Sequence, residues 1–142
     1  MSSWYRYPLI EEAMVNLALW IVAGLLAAVF LLAGSTKLFF ARERLAKAPG
    51  GGWALDFSAG FVKALGTVEV LGAVGLLLPA LLDIAPVLVP LAALGLGLIM
   101  IGAATVEFRR KEFRHVLVNL TYLALIAFLA WGRFSGPSSF IG

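Results

Sequence analysis

The 142-residue sequence has no cysteine and one histidine, and only 13% of its residues are charged. Without cysteine the chain can form no disulfide, hold no thiolate-ligated cluster and run no thiol relay of its own, which removes the quinone-linked disulfide oxidases, themselves small helical bundles. A single histidine rules out a bis-His haem within one chain and argues against a zinc site. No nucleophile and base stand at a useful spacing, so no catalytic residue is assigned and no metal ligand set is expected. The sequence also has no low-complexity tract and no clear internal repeat.

What it has is apolar mass. Hydrophobic residues make up 62% of the chain, against about 45–50% in soluble domains. A water-soluble fold could not hide that surface, so the lipid bilayer is the expected solvent and first partner. The net charge of +3 does not point to nucleic acid, because most basic residues sit in two short clusters beside apolar runs. One domain, 1–142, accounts for the length.

Long apolar runs predict four spans, at about 13–36, 64–82 (interrupted by Glu69), 84–106 and 116–133. At about 1.5 Å per helical residue each approaches a hydrocarbon core of about 30 Å. The fourth is the shortest and needs Arg133 to snorkel. The first is a poor signal peptide, since Glu11 and Glu12 precede it where basic residues belong, and it is read as retained. Leu32-Ala33-Gly34-Ser35 is similar to a lipoprotein cleavage box, but Ser35 has no thiol to lipidate.

Pro79, Asp83, Pro86 and Pro90 predict a compact turn between spans two and three, with Asp83 capping the third helix and Pro86 in its first turn. Loops 37–63 and 107–115 are basic: Lys37, Arg42, Arg44, Lys47 and Lys63 flank one, and Arg109, Arg110, Lys111 and Arg114 fill the other. Only Arg6 and Arg133 lie at the opposite end. The positive-inside rule puts both loops in the cytoplasm and both termini outside, in a plasma (inner) membrane. The first loop reads as a basic stub, a break at Pro49-Gly50-Gly51-Gly52 and an interfacial piece with Trp53 at headgroup depth.

An ionisable residue within a span costs roughly 2.5–3.5 kcal/mol and by default marks a functional site. Glu69 is that residue. It lies about 240° around its helix from Lys63, so its partner must come from another helix. Lys37 and Glu107 end spans one and three at a similar level, and Lys37 could meet either glutamate. His115, Asn119 and Tyr122 share one face of span four, and Thr36, Thr67 and Thr105 add hydroxyls at similar depth. Together they predict a polar pocket floored by Glu69 and lined by Lys37, Glu107, Asn119 and Tyr122. The plainer alternatives stand beside it: Lys37, Lys63 and Glu107 snorkelling from helix ends, Asn119 as interhelical glue, His115 as an interfacial residue, and Glu69 in a structural ion pair. Gly24 with Ala28, Gly66, Gly72, Gly75, Gly95, Gly97 and Gly102 predict close helix packing.

These residues also carry a resemblance. Ala33-Gly34-Ser35-Thr36-Lys37-Leu38, the stretch from Gly66 through Glu69 and Gly72 to Leu78-Pro79, Pro86 with Pro90-Leu91-Ala92-Ala93 and Met100-Ile101-Gly102-Ala103, and Trp131-Gly132-Arg133-Phe134 follow one another as in the DoxX-like membrane protein family, over nearly the whole chain. The matching motif residues are Gly34, Lys37, Glu69, Gly72 and Pro79. Many members carry His where this chain has Glu107, so a role tied to that histidine does not transfer. The better-known relatives associate with membrane redox systems, which implies a quinone as the ligand to consider and other membrane or redox proteins as partners; a homo-oligomer is a separate arrangement left open.

Three functional classes follow: a quinone or small amphipathic ligand-binding, redox-associated subunit centred on Lys37 and Glu69; a small proton-coupled transporter using Glu69; and a structural or assembly subunit. Whether the chain is an enzyme is left open. The orientation is directly testable because no native cysteine interferes. Ala48→Cys in intact cells should resist a membrane-impermeant maleimide and react after permeabilisation, whereas Ser138→Cys should react in both. The opposite pattern reverses the topology.

Overall fold

A computed structural model describes residues 6–135 and 138–140, with side chains from Leu9 onward. The two chain termini and the Arg6 side chain, which the sequence reading places outside the membrane, lie outside the described residues. Four long helices make up the bundle: α1 (Arg6–Phe39), α3 (Ala59–Leu81), α4 (Leu88–Arg109) and α5 (Phe113–Phe134). The first loop holds the short α2 (Arg42–Leu45) and a 3-10 turn at Gly52–Asp56, and no strand occurs among the described residues. All four long helices are long and apolar enough to cross a membrane. Their outward faces are apolar too, with Leu32, Leu71, Leu98 and Leu117 each mostly exposed, as suits a surface solvated by lipid.

Except at the turn between α3 and α4, the helices overrun the predicted spans because their ends need not be apolar to stay helical. α1 takes in Glu11 and Glu12, which are good helix formers. α3 starts early because the Ser58 hydroxyl accepts the Phe61 N–H at 3.1 Å, satisfying one orphan donor of the first turn.

The turn between α3 and α4 differs from expectation. Asp83 does not cap α4, whose N-cap is Val87 with no side-chain bond. Instead Asp83 adopts φ +52° just past the end of α3. The Ile84 N–H then reaches the Pro79 carbonyl at 2.9 Å, and the Asp83 N–H points back to Ala80 at 3.4 Å. This is the Schellman closure, and aspartate tolerates its left-handed position better than most residues do. α4 begins only at Leu88, so Pro86 precedes it, and Pro90 is the proline of the first turn, where its missing N–H leaves no bond unmade.

Around the bundle the neighbours run α1, α3, α4, α5 and back to α1, with α1/α3 and α4/α5 the intimate pairs. The core fills the half of the bundle away from the basic loops: Leu19, Ala23, Leu26 and Phe30 meet Ala73, Leu76, Leu96, Ile126 and Leu129. Toward the basic loops the two pairs separate.

What holds α1 to α3 is the absence of side chains. A Cβ on Gly66 would stand 2.7 Å from the Gly34 carbonyl oxygen and 2.7 Å from Lys37 Cβ, and a Cβ on Gly34 would stand 2.6 Å from the Gly66 carbonyl. Gly24, Gly95 and Gly102, expected at helix contacts, have open space where a Cβ would point. Gly66→Ala should therefore destabilise the bundle by roughly 1–3 kcal/mol, read as a lower unfolding temperature in detergent micelles, while Gly95→Ala leaves it unchanged.

Candidate functional site

Where the helix pairs part, the structure encloses a cavity of about 570 Å³, within the roughly 300–1,000 Å³ usual for small-molecule sites. All five residues of the predicted pocket line it: Lys37, Glu69, Glu107, Asn119 and Tyr122. Its remaining wall is aliphatic and aromatic, including Phe30, Met100, Trp53, Phe57 and Phe61.

The polar centre follows from the glycine contact. Lys37 lies one turn beyond Gly34, and Glu69 lies one turn beyond Gly66, so the close backbone crossing brings their side chains together. Lys37 Nζ stands 2.9 Å from Glu69 Oε2, with the two side chains only 13% and 3% exposed. The ammonium also faces the Ala33 carbonyl at 3.5 Å and lies 5.6 Å from the centre of the Trp53 ring. Of the two glutamates within expectation for Lys37, it takes Glu69. Glu107 is 7% exposed, and its Oε2 meets no donor. Neither the Asn119 amide nor the Tyr122 hydroxyl is hydrogen-bonded among the described residues, while the Tyr122 ring leans on Phe30 at 6.4 Å.

The first loop folds over this end of the cavity. Trp53, which the sequence reads as interfacial, is also part of the cavity wall. The glycines before it turn the chain back, with Gly50 at φ +75°, and the 3-10 turn drops the indole into the cavity wall. The residues read as topology signals fasten the loop: Arg42 Nη1 donates to the Phe57 carbonyl at 2.6 Å, Arg110 Nη1 to Asp56 at 2.6 Å, and Lys63 Nζ to the Leu38 carbonyl at 2.8 Å. Arg110 Nε also donates to Glu112 at 3.1 Å. The carboxylates of Glu112 and Asp56 raise the Arg110 guanidinium above its ordinary value. Glu112 is held below the usual carboxylate range, first by a hydrogen bond from the Glu107 carboxyl and then by Arg110.

Several candidates fall elsewhere. The His115 ring packs over Gly50 and is not part of the cavity wall. Thr36, Thr67 and Thr105 turn their hydroxyls onto the carbonyls of Ala33, Lys63 and Ile101 in their own helices. Among the family-motif residues, Gly34, Lys37 and Glu69 meet at the site. Gly72 and Pro79 instead border a separate apolar groove between α3 and α4. The aromatic wall was missed in the sequence, although Trp53, Phe57 and Phe61 recur every four residues, and Phe57 stacks on Phe61 at 4.8 Å.

Arg133 was read as snorkelling, and it does the reverse. It is 2% exposed at the far end of the bundle, donating to Asn16 Oδ1 at 2.8 Å and to the Ser138 carbonyl at 3.0 Å, with Phe140 4.1 Å away. The half of the bundle away from the basic loops thus holds a buried cation, answered by an amide, a carbonyl and an aromatic face.

Against known proteins, the family described as DoxX-like matches residues 21–129. No curated protein and no solved structure matches significantly.

The Lys37/Glu69 pair yields a clear energetic expectation. Lys37→Met leaves a buried carboxylate without its cation and should cost about 3–5 kcal/mol. Adding Glu69→Leu should recover most of that loss in a double-mutant cycle of unfolding free energies. Additive losses would show the two side chains to be uncoupled.

Proposed function

The chain belongs to the DoxX-like family, and from that footing we propose that its cavity binds a small amphipathic molecule of the quinone type, in the plasma membrane with the basic loops facing the cytoplasm. The observation that carries this reading is the cavity's unspent polarity. The half-buried Asn119 and Tyr122 face an apolar, aromatic-walled space with no hydrogen bond from their side chains among the described residues, which leaves a donor and acceptor set free for a guest.

A planar apolar ring matches the surfaces of Trp53, Phe57 and Tyr122, and its carbonyl oxygens would accept from the Asn119 amide and the Tyr122 hydroxyl. An isoprenoid tail has a way out: Phe61 and Leu98 line the cavity while being 48% and 71% exposed on the outer surface of α3 and α4. That lateral opening suits a ligand arriving from lipid. In this reading any electron transfer belongs to a redox partner protein, and the chain provides the ligand's seat. The exchange-transport alternative is weaker, because Glu69 already has Lys37 at 2.9 Å and its charge is answered within the chain.

The test uses a short-chain ubiquinone and the fluorescence of the full-length protein in lipid nanodiscs. Saturable quenching is expected, lost in Trp53→Phe and shifted about tenfold weaker in Asn119→Leu, the size of one lost hydrogen bond. Quenching that rises linearly with quinone and is alike in all variants would show partition into lipid alone.

A further inference from the structure

The helix ending beside the cavity is built in an unusual way. α4 closes with the same Schellman turn as α3: Lys111 takes φ +60°, its N–H reaches the Phe108 carbonyl at 3.0 Å, and the Glu112 N–H reaches the Glu107 carbonyl at 3.0 Å. In this motif the two residues joined by the longer bond usually make an apolar contact. At the end of α3 they are Pro79 and Ile84, which fit that rule. At the end of α4 they are two glutamates, and the left-handed lysine that folds one onto the other has no glycine's freedom to do so.

The outcome is two carboxyl groups brought within hydrogen-bonding reach, each with its Oε2 out of water. Glu107 is 7% exposed and lines the cavity. Glu107 Oε2 and Glu112 Oε2 are both buried, and neither meets a donor. As two carboxylates they would repel, with each oxygen stripped of solvent and unanswered. One proton between them converts repulsion into a short charge-assisted hydrogen bond and satisfies both oxygens. The surroundings favour that state over a second cation: Arg110 is turned to Glu112 Oε1 and Asp56, and Lys37 is across the cavity on Glu69. On the neighbouring α5, His115 acts on the Glu112 side and Tyr122 shares the cavity wall with Glu107.

We propose that Glu107 and Glu112 share one proton and form a proton-exchange port between the cavity and the water at the rim of the basic loops. Glu107 presents the inner end of the port. Glu112, whose side chain is 26% exposed, presents the outer end. Transfer needs no redox partner: the Glu107 O–H donates to the Glu112 carboxylate, Glu112 releases a proton to water, and Glu107 is left able to accept a proton from the cavity. The port stands whichever molecule occupies the cavity, and its test uses no ligand, so it can fail or succeed apart from the quinone reading.

The experiment is infrared spectroscopy of the full-length protein in lipid vesicles at neutral pH, observing the C=O stretch of protonated carboxyls. A band is expected that shifts to lower frequency on transfer to D2O and is lost in Glu107→Gln. It should also be lost in Glu112→Gln, whose amide can donate to an ionised Glu107, and should survive in Glu69→Gln. Circular dichroism identifies which variants keep their helices, and either folded glutamine variant suffices. Absence of the band in the unaltered protein overturns the proposal. So does its persistence in Glu112→Gln, which would place an unshared proton on Glu107, and so does a band indifferent to D2O, which would sever the port from water.

Discussion

The organisation of the site depends on the approach of two glycines. Between α1 and α3 the backbones come so near that Gly34 and Gly66 each occupy the space where the other's Cβ would go. In a bilayer no hydrophobic effect draws helices together, so van der Waals contact of this kind carries much of the association. The crossing also determines where Lys37 and Glu69 meet. A pair of opposite charges in a weakly polarisable interior is only as favourable as its geometry allows, since each ion gives up its water to form it. At 2.9 Å the pair is well made, but its main effect is on register. Sliding α1 against α3 by one turn would strand both charges.

The same crossing divides the bundle along its length. In the far half the four helices interdigitate around Leu26, Phe30, Leu76 and Leu129. In the near half the pairs α1/α3 and α4/α5 diverge, and the first loop with its 3-10 turn covers the opening. Arginines do that fastening through carbonyls and carboxylates, at Phe57, Asp56 and Glu112. Basic residues of both loops thus have a structural part in the folded chain. Arg133 balances the arrangement at the far end, where its guanidinium joins α1 to α5 through Asn16.

Much of this was legible in the sequence, and the reasons for success and failure are physical. The four helices were visible because a hydrocarbon solvent demands long apolar runs, a requirement local enough to read directly. The pocket residues stood out because ionisable and amide groups are rare in such runs. Residues whose surroundings depend on chain reversal were not legible. The place of Trp53 in the cavity wall was not visible because nothing local says that Gly50 turns the loop inward. Asp83 looked like an N-cap because a lone aspartate between helices suits either end, and only the left-handed φ shows that it closes α3. Arg133 looked like a snorkelling residue because Asn16 lies at the opposite end of the sequence, and the contact is made only by folding.

The separation of a packed half from a hollow half has a consequence for how such a protein can change. Side chains such as Trp53, Phe57 and Phe61 border empty space, and exchanging one for another of similar polarity removes little packing from the interior that holds the helices together. The crossing at Gly34 and Gly66 has no such latitude. The bundle therefore behaves as a fixed hinge bearing an adjustable jaw, in which preference for one guest over another can drift by small steps at the lining while the frame that inserts and folds in the membrane stays the same.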